Sequence, residues 1–464
     1  MAVEYVERAI GLKGGAAAFH NNLGEAFRAL HRIPEAVTCC RRALQLNPDF
    51  AEARNNLGAA FKEQGNLAEA IACYRRALDR KPDFAEAHYN LGVAVNDQGQ
   101  LDEAIACYRR ALELKPDYAE AHTNLGVALG DQGKLDEAAA CYRRILARMP
   151  DFAEARWNQS LLSLLTGDFP QGWAGYQWRW KAKICQPRDF PQPLWDGQPL
   201  EGKTILLHAV QGLGDTIQFI RYATLVKKAG ARVLVECQKP LVRLLAGCRG
   251  VDALIGRGDE LPPFDVQAPL LSLPGIFGTS LETIPADVPY LFADSGLAEH
   301  WRRELASIAA FKIGIAWRGS PIHRNDRARS FPLSCFEPLA NLPGIHLFSL
   351  QKGPGAEELQ AACDHFPVAE LGSRLNDFMD TAAVMRNLDL VITCDTSIAH
   401  LAGALGVPVW VAMPLVPDWR WLLGRDDSPW YPAMRLFRQK SLGDWSGVFG
   451  KIEAELCAQL QSKA

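Results

Sequence analysis

Leu390-Val-Ile-Thr-Cys-Asp-Thr-Ser-Ile-Ala-His-Leu-Ala-Gly-Ala-Leu-Gly406, running on into Val407-Pro-Val-Trp-Val411, is the stretch from which the fold is read. Leu390 to Thr393 is an apolar run of strand length, and Asp395-Thr396-Ser397 is a polar turn. A helix closes at Gly406, and a second apolar run follows. This is a βαβ unit. Its turn lies at the carboxyl end of a strand and the amino end of a helix, where free N–H groups and the helix dipole favour an anion. Thr396 and Ser397 precede His400 by four and three residues, so all three side chains gather near one end of the helix and are placed to meet a phosphate. A plainer reading uses the same residues: Asp395 as an N-cap only, and His400 as a core histidine with its hydrogen bonds satisfied.

Upstream, Phe311 to Trp317 reads as the first strand of the same α/β series. Behind it come Arg318-Gly-Ser320 and then His323, Arg324, Arg327, Arg329 and Ser330, a loop too basic to pack inside. The loop leaves the carboxyl end of a strand, the side on which open sheets bind ligands, so Arg318 and Arg329 are candidates for phosphate recognition as well as for a solvated surface. The strand Ile345 to Leu350 ends at Gln351-Lys352-Gly353 and puts another cation at that rim. A helix over 356–364, a strand over 368–371 and a helix over 377–387 lead back to the opening unit. Beyond it, Pro417-Asp-Trp-Arg-Trp421, the segment from Gly424 to Pro432, and Arg435 to Arg438 form a dense aromatic and charged stretch before a final helix near 448–461. Asp426 and Asp427 lack a third ligand at usable spacing, so a salt-bridged loop is preferred to a metal site.

A first α/β series precedes this one. Lys203 to Val210 is a buried strand that runs into Gln211-Gly-Leu-Gly-Asp-Thr216, an amphipathic helix to about Ala229, and a strand over 232–237. Gly212 and Gly214 let a ligand approach the backbone closely, but the third glycine and downstream acid of a dinucleotide fingerprint are missing, which argues against NAD. Asp215 is either an N-cap or a carboxylate facing a cleft as general base. Shorter strands follow near 253–255 and 266–271.

The first third repeats with a period of 34, most plainly over 51–84, 85–118 and 119–152. Leu57, Gly58, Phe61, Ala70, Tyr74, Ala77 and Pro82 stand where the tetratricopeptide pattern places its large, small, aromatic and terminating residues, so the segment resembles a tetratricopeptide array. Gly65, Gly99 and Gly133 mark the turns within each unit. Met1 to Lys13 reads as half of a truncated repeat. Residues 153 to about 186 read as a degenerate cap, rich in tryptophan (Trp173, Trp178, Trp180) and with Arg179 where a small residue belongs. Asn22, Asn56, Asn90, Asn124 and Asn158 recur every 34 residues on the first helix of each unit. Such a ladder either binds the backbone of an extended peptide or ties neighbouring helices together.

At 464 residues the chain holds two or three domains. The expected division is a repeat array with its cap over 1–186, a proline-rich connector over 187–199, α/β halves over 200–300 and 301–446, and a terminal helix over 447–464. A formal charge of −3 gives no support for nucleic-acid binding. No signal peptide or membrane span is evident, so a cytoplasmic location is expected. Four of the 12 cysteines, Cys39, Cys73, Cys107 and Cys141, are repeat positions. They read as buried thiols of a reducing compartment, neither bridged nor metal-bound.

From Leu200 onward the chain resembles the heptosyltransferase-like glycosyltransferases that follow tetratricopeptide arrays in bacteria. The matching segments are Gln211 to Asp215, Gly314 to Trp317, Arg329-Ser-Phe-Pro332, Ser349 to Gly353 and Asp395 to Ala402. The whole plan is similar to that of O-GlcNAc transferases and flagellin glycosyltransferases. The resemblance implies an α + α/β fold: a tetratricopeptide α-solenoid followed by a GT-B pair of Rossmann-like doubly wound domains, the first for the acceptor and the second for the nucleotide sugar. It implies a metal-independent sugar transfer with no resident cofactor, to a protein hydroxyl recruited by the repeats. In those roles Asp215 is the base and Arg329 stabilises the leaving phosphate. Trp317, Arg318, Lys352, Asp395, Thr396, Ser397 and His400 fall at the donor. Gly212, Gly214, Asn56, Asn90, Asn124 and Asn158 fall on the acceptor path. A lysine is usual at the place of Arg329, and a glycine at that of Ser397. The donor is therefore read as a nucleoside diphosphate sugar, with a cytidine monophosphate nonulosonic acid as rival. Competing readings are a non-catalytic scaffold and a GT-B sugar-nucleotide epimerase.

Overall fold

The computed structural model describes residues 16–362 and 365–462. A helical repeat region is followed by an α/β region with two parallel sheets. The chain divides into two compact units, one ending at Gln159 and one beginning at Ser160. Residues 160–186, read above with the repeats, therefore belong to the second unit. The half-repeat read over Met1 to Lys13 lies outside the described residues.

Four helix pairs make up the first unit: α1 (Ala17–Ala29) with α2 (Ile33–Leu46), α3 (Ala51–Glu63) with α4 (Leu67–Arg80), α5 (Ala85–Asp97) with α6 (Leu101–Leu114), and α7 (Ala119–Asp131) with α8 (Leu135–Arg148). A small-against-large exchange joins the last three pairs. A Cβ on Gly58 would lie 2.7 Å from the Tyr74 ring, one on Gly92 2.7 Å from Tyr108, and one on Gly126 2.6 Å from Tyr142. Each ring fills the space that a side chain at the glycine would take, and each tyrosine is buried. Burying an aromatic side chain of this size stabilises by roughly 2–3 kcal/mol. In the first pair Cys40 stands at the tyrosine position, against Gly24. Burial pushes the Cys107 thiol up to about 11 and raises those of Cys73 and Cys141. Thiols so raised stay protonated and inert at neutral pH.

The second unit opens with the end of α9 (Ala153–Leu165) and α10 (Phe169–Tyr176), then two sheets. The first has β1 (Thr204–His208), β2 (Arg232–Cys237), β3 (Ala253–Gly256) and β4 (Val266–Pro269) in the order β3-β2-β1-β4, all parallel. The second has β5 (Phe311–Ala316), β6 (Ile345–Ser349), β7 (Ala369–Glu370), β8 (Leu390–Thr393), β9 (Val409–Met413) and β10 (Met434–Arg438) in the order β10-β9-β8-β5-β6-β7, again all parallel. Chain order reverses between β1 and β4 in one sheet and between β5 and β8 in the other. Ligands of open α/β sheets bind outside the carboxyl ends of strands at such switch points. β10 corrects the sequence reading, which left its residues in a loop.

Three helices stand at the strand ends or cover the second sheet: α11 (Leu213–Phe219) after β1, α12 (Ser397–Leu405) between β8 and β9, and α13 (Trp445–Gln461) at the end. α12 stops at Gly406, whose φ of 70° suits glycine. α13 covers the second sheet with Phe449, which packs 5.0 Å from both Phe331 and Phe336 between ring centres. The segment expected to cap the array packs instead within the α/β unit. The Trp173 indole donates to the Thr279 carbonyl (2.7 Å), the buried Arg179 donates to Ser272 Oγ (2.5 Å), and Trp173 meets Trp419 edge-on at 5.3 Å.

Candidate functional site

Both switch points carry the turns singled out in the sequence, and the two turns meet. At the first, α11 begins at Leu213, so Asp215 lies in its first turn and its Oδ2 accepts from the Gly212 N–H at 2.8 Å. At the second, Thr396 precedes α12 and makes no side-chain cap, so the start of that helix keeps its N–H groups for another acceptor. A Cβ on Gly214 would lie 2.8 Å from His400 Cδ2 and 3.4 Å from Ser397 Cα. Only glycine lets α11 come this close to α12.

Arg329 stands at the second switch point. Its Nη1 donates to the Asp395 carbonyl at 2.9 Å, which ties the loop after β5 to the turn after β8. Asp326 accepts from Arg329 Nε (3.3 Å) and from Ser330 Oγ (3.2 Å). The Asp395 side chain is 8% exposed. Burial and the neighbouring Asp418 carboxylate push its carboxyl up to about 6, against the pull of Arg329 and Arg420.

Arg420 is the residue that the sequence reading passed over. It is 7% exposed and joins the two halves of the site. Its Nη2 donates to Asp215 Oδ1 (2.6 Å), its Nη1 to Asp418 Oδ1 (2.8 Å) and its Nε to Gln218 Oε1 (2.6 Å). Its guanidinium also lies 4.5 Å from the Trp419 ring centre. Burial alone would disfavour its charge, but Asp418 and Asp215 outweigh that and hold its pKa above the usual arginine value. Burial raises the Asp215 carboxyl, while Arg420 and the Gly212 N–H oppose the rise. The available signal was position, since Pro417-Asp-Trp-Arg-Trp421 follows β9 at the same sheet rim.

His400 is buried. Its Nδ1 pairs with the Tyr431 hydroxyl at 2.9 Å, and its ring stacks on Trp421 at 5.2 Å. Burial, with Arg420 next, keeps it well below the usual histidine range and therefore neutral. Arg221, also buried, donates to the carbonyls of Pro285 (3.1 Å) and Trp430 (2.9 Å) and to the Tyr290 hydroxyl (2.8 Å).

Other candidates stand elsewhere. Trp317 is fully buried in the core beneath α13 with Ile313 and Ile315, as strand alternation requires. Its side chain does not reach the turns. Arg318 pairs with Glu358 at 2.6 Å, and Lys352 Nζ caps the carbonyls of Leu375 (2.5 Å) and Asn376 (3.1 Å). In the repeats, Asn56 Nδ2 donates to Asn21 (3.0 Å), Asn90 Nδ2 to Asn55 (2.9 Å) and Asn124 Nδ2 to the Tyr89 hydroxyl (3.1 Å). Asn158 donates to its own helix at the Glu154 carbonyl, 2.9 Å away. The ladder thus spends its donors between neighbouring helices. Asp427 pairs with Arg425 at 2.7 Å. A cavity of about 730 Å³ lined by Trp173, Trp180, Leu194, Trp195 and Ile276 includes no residue of the two turns. No described helix is long and apolar enough to cross a membrane.

Residues 24–65, 60–96 and 94–133 match one family model described as TPR repeat, and residues 119–152 match another, described as tetratricopeptide repeat. The chain is thus a TPR-containing protein with an α/β region bearing two parallel sheets. It is similar to Protein FlbA of Caulobacter vibrioides, 28% identical over 332 residues, which cover 64% of this chain and 54% of that one. It spans about half the length of that curated relative. Among solved structures it is similar to YrrB, described as a TPR protein with an unusual peptide-binding site (21% identity, 39% of this chain and 94% of that one, TM-score 0.33). It is also similar to a thermophilic TPR protein of Thermus thermophilus, TTC0263 (26% identity, 36% and 92%, TM-score 0.32).

Proposed function

We propose that this protein is a metal-independent glycosyltransferase of the GT-B plan, which moves a sugar from a nucleotide donor to a protein hydroxyl recruited by the repeats. The observation that carries this reading is the contact of Gly214 with Ser397 and His400, where the turns of two switch points meet. The donor phosphate lies at the start of α12, against the N–H groups beside Thr396 and Ser397, with Arg329 neutralising the charge that builds as it leaves. Asp215 takes the proton of the acceptor hydroxyl. The acceptor oxygen bonds to the anomeric carbon as the carbon–phosphate oxygen bond breaks, and its electron pair leaves on the phosphate. A carboxyl raised by burial is a better base than a solvated one. A nucleoside diphosphate sugar is the first choice of donor, and a cytidine monophosphate nonulosonic acid the second.

One observation favours the non-catalytic scaffold: Asp215 is already held by Arg420 and the Gly212 N–H. The two readings part on one experiment, incubation with a panel of labelled nucleotide sugars and cell proteins. Transfer to protein is expected, and Asp215→Asn should lower it by about 10²-fold or more, the usual worth of a general base. An unchanged rate in that variant removes Asp215 from the chemistry. No binding or transfer from any donor leaves the scaffold.

A further inference from the structure

His323 is a candidate that the proposed reaction has not used. It sits in the loop after β5, where its backbone is held by a bond from its own N–H to the Ser320 carbonyl (2.9 Å) and by one from the Asp326 N–H to its carbonyl (2.9 Å). Its ring is held too, because Nδ1 accepts from the Asn325 N–H at 3.2 Å. The neutral ring must then carry its proton on Nε2, since a proton on Nδ1 would face that N–H. The tautomer also excludes His323 as the base for the acceptor, whose proton would need a lone pair on the outer nitrogen.

The charged groups that face the ring come from three elements. Arg329 and Asp326 belong to its own loop, Asp418 to the loop after β9, and Asp215 to α11. His323 therefore stands between the carboxylate at the first switch point and the cation at the second. Desolvation and Arg329 hold its pKa below the usual value, so it is neutral at pH 7.

We propose that His323 donates its Nε2–H to the departing phosphate of the donor, as a neutral partner to the Arg329 cation. The assignment rests on the transferase reading above. In the step itself the phosphate oxygen receives the electron pair of the broken bond and is met by the imidazole N–H. The acceptor proton still goes to Asp215, so His323 neither gains nor loses a proton in the chemistry. A phosphate beside the ring adds a negative charge that offsets Arg329. Binding of a nucleotide should therefore raise the affinity of His323 for a proton and draw one in.

Calorimetry with uridine, guanosine and cytidine nucleotides, run at pH 7 in two buffers of different ionisation enthalpy, measures that proton. The unaltered protein is expected to bind at least one nucleotide and to take up a fraction of a proton. H323Q, whose amide keeps a donor near the Nε2 position, should bind within about threefold of the unaltered protein and take up none. H323A should bind about tenfold more weakly, as for one lost hydrogen bond to a charged group. Uptake that persists in H323Q, or unweakened binding by H323A, overturns the assignment and leaves the transferase reading standing. Failure of every nucleotide to bind overturns both.

Discussion

Replacing Arg420 by methionine tests the centre of the site. The side chain keeps apolar contact with Phe219 and Trp419 but removes a charge that is 7% exposed and donates at 2.6, 2.6 and 2.8 Å to Asp215, Gln218 and Asp418. Deleting one partner of a buried ion pair leaves the other desolvated and unopposed, at a cost of about 3–5 kcal/mol. The cost should depend on pH. Arg420 draws the Asp215 carboxyl down, so without it the folded-state pKa climbs further above the unfolded one. The penalty then grows as pH rises above the unfolded carboxylate value and shrinks below it. Urea unfolding is followed by the fluorescence of the tryptophans around Arg420, with the helical signal recorded separately because two compact units need not melt together. The expected loss is about 3–5 kcal/mol at pH 7.5 and clearly less at pH 4.5. Asp215→Asn added to the methionine variant should recover at least about 1.5 kcal/mol. A loss below about 1 kcal/mol, equal losses at both pH values, or a cycle additive within about 0.5 kcal/mol would show that the pair is not the joint described.

Three further outcomes are expected. Asp395 titrates near 6 in the fold against 3.8 for a free aspartate, so its neutral form stabilises the fold at low pH. That contribution of about 3 kcal/mol is lost as pH rises through this window, and Asp395→Asn should flatten the stability–pH curve there; an unchanged slope refutes it. Gly214→Ala puts a methyl 2.8 Å from a histidine ring fixed by Trp421 and Tyr431. It should cost about 1–3 kcal/mol by overpacking, read as a lower melting temperature, and also lower transfer. Asn90→Ala removes the bond to Asn55 and should cost about 1 kcal/mol of repeat stability; amide exchange in α3 and α5 would show it, and unaltered protection would return the ladder to peptide binding alone.

The βαβ unit over 390–411 was legible because run length and Gly406 fix it locally, and β8 came out as read. The repeats were legible from their period. Trp317 was misplaced by attention to its rim position, although the alternation Ile313, Ile315, Trp317 already assigned it to the core face. The cationic character of Lys352 was plain in the sequence, but its use was not, because the carbonyls that it caps lie 23 and 24 residues on. Arg420 was the hardest to find. Its partner Asp215 is 205 residues away, and a pairing of that separation has no local pattern to betray it.

Arg221 gives the two sides of the cleft different characters. Its partners are the Pro285 and Trp430 carbonyls and a phenol that burial holds protonated, none of which changes charge across the physiological range. The Asp215–Arg420 contact, by contrast, depends on a carboxylate. Acid therefore loosens one edge while the other keeps its grip, so the α/β unit has a titrating latch opposite a hinge that is blind to pH.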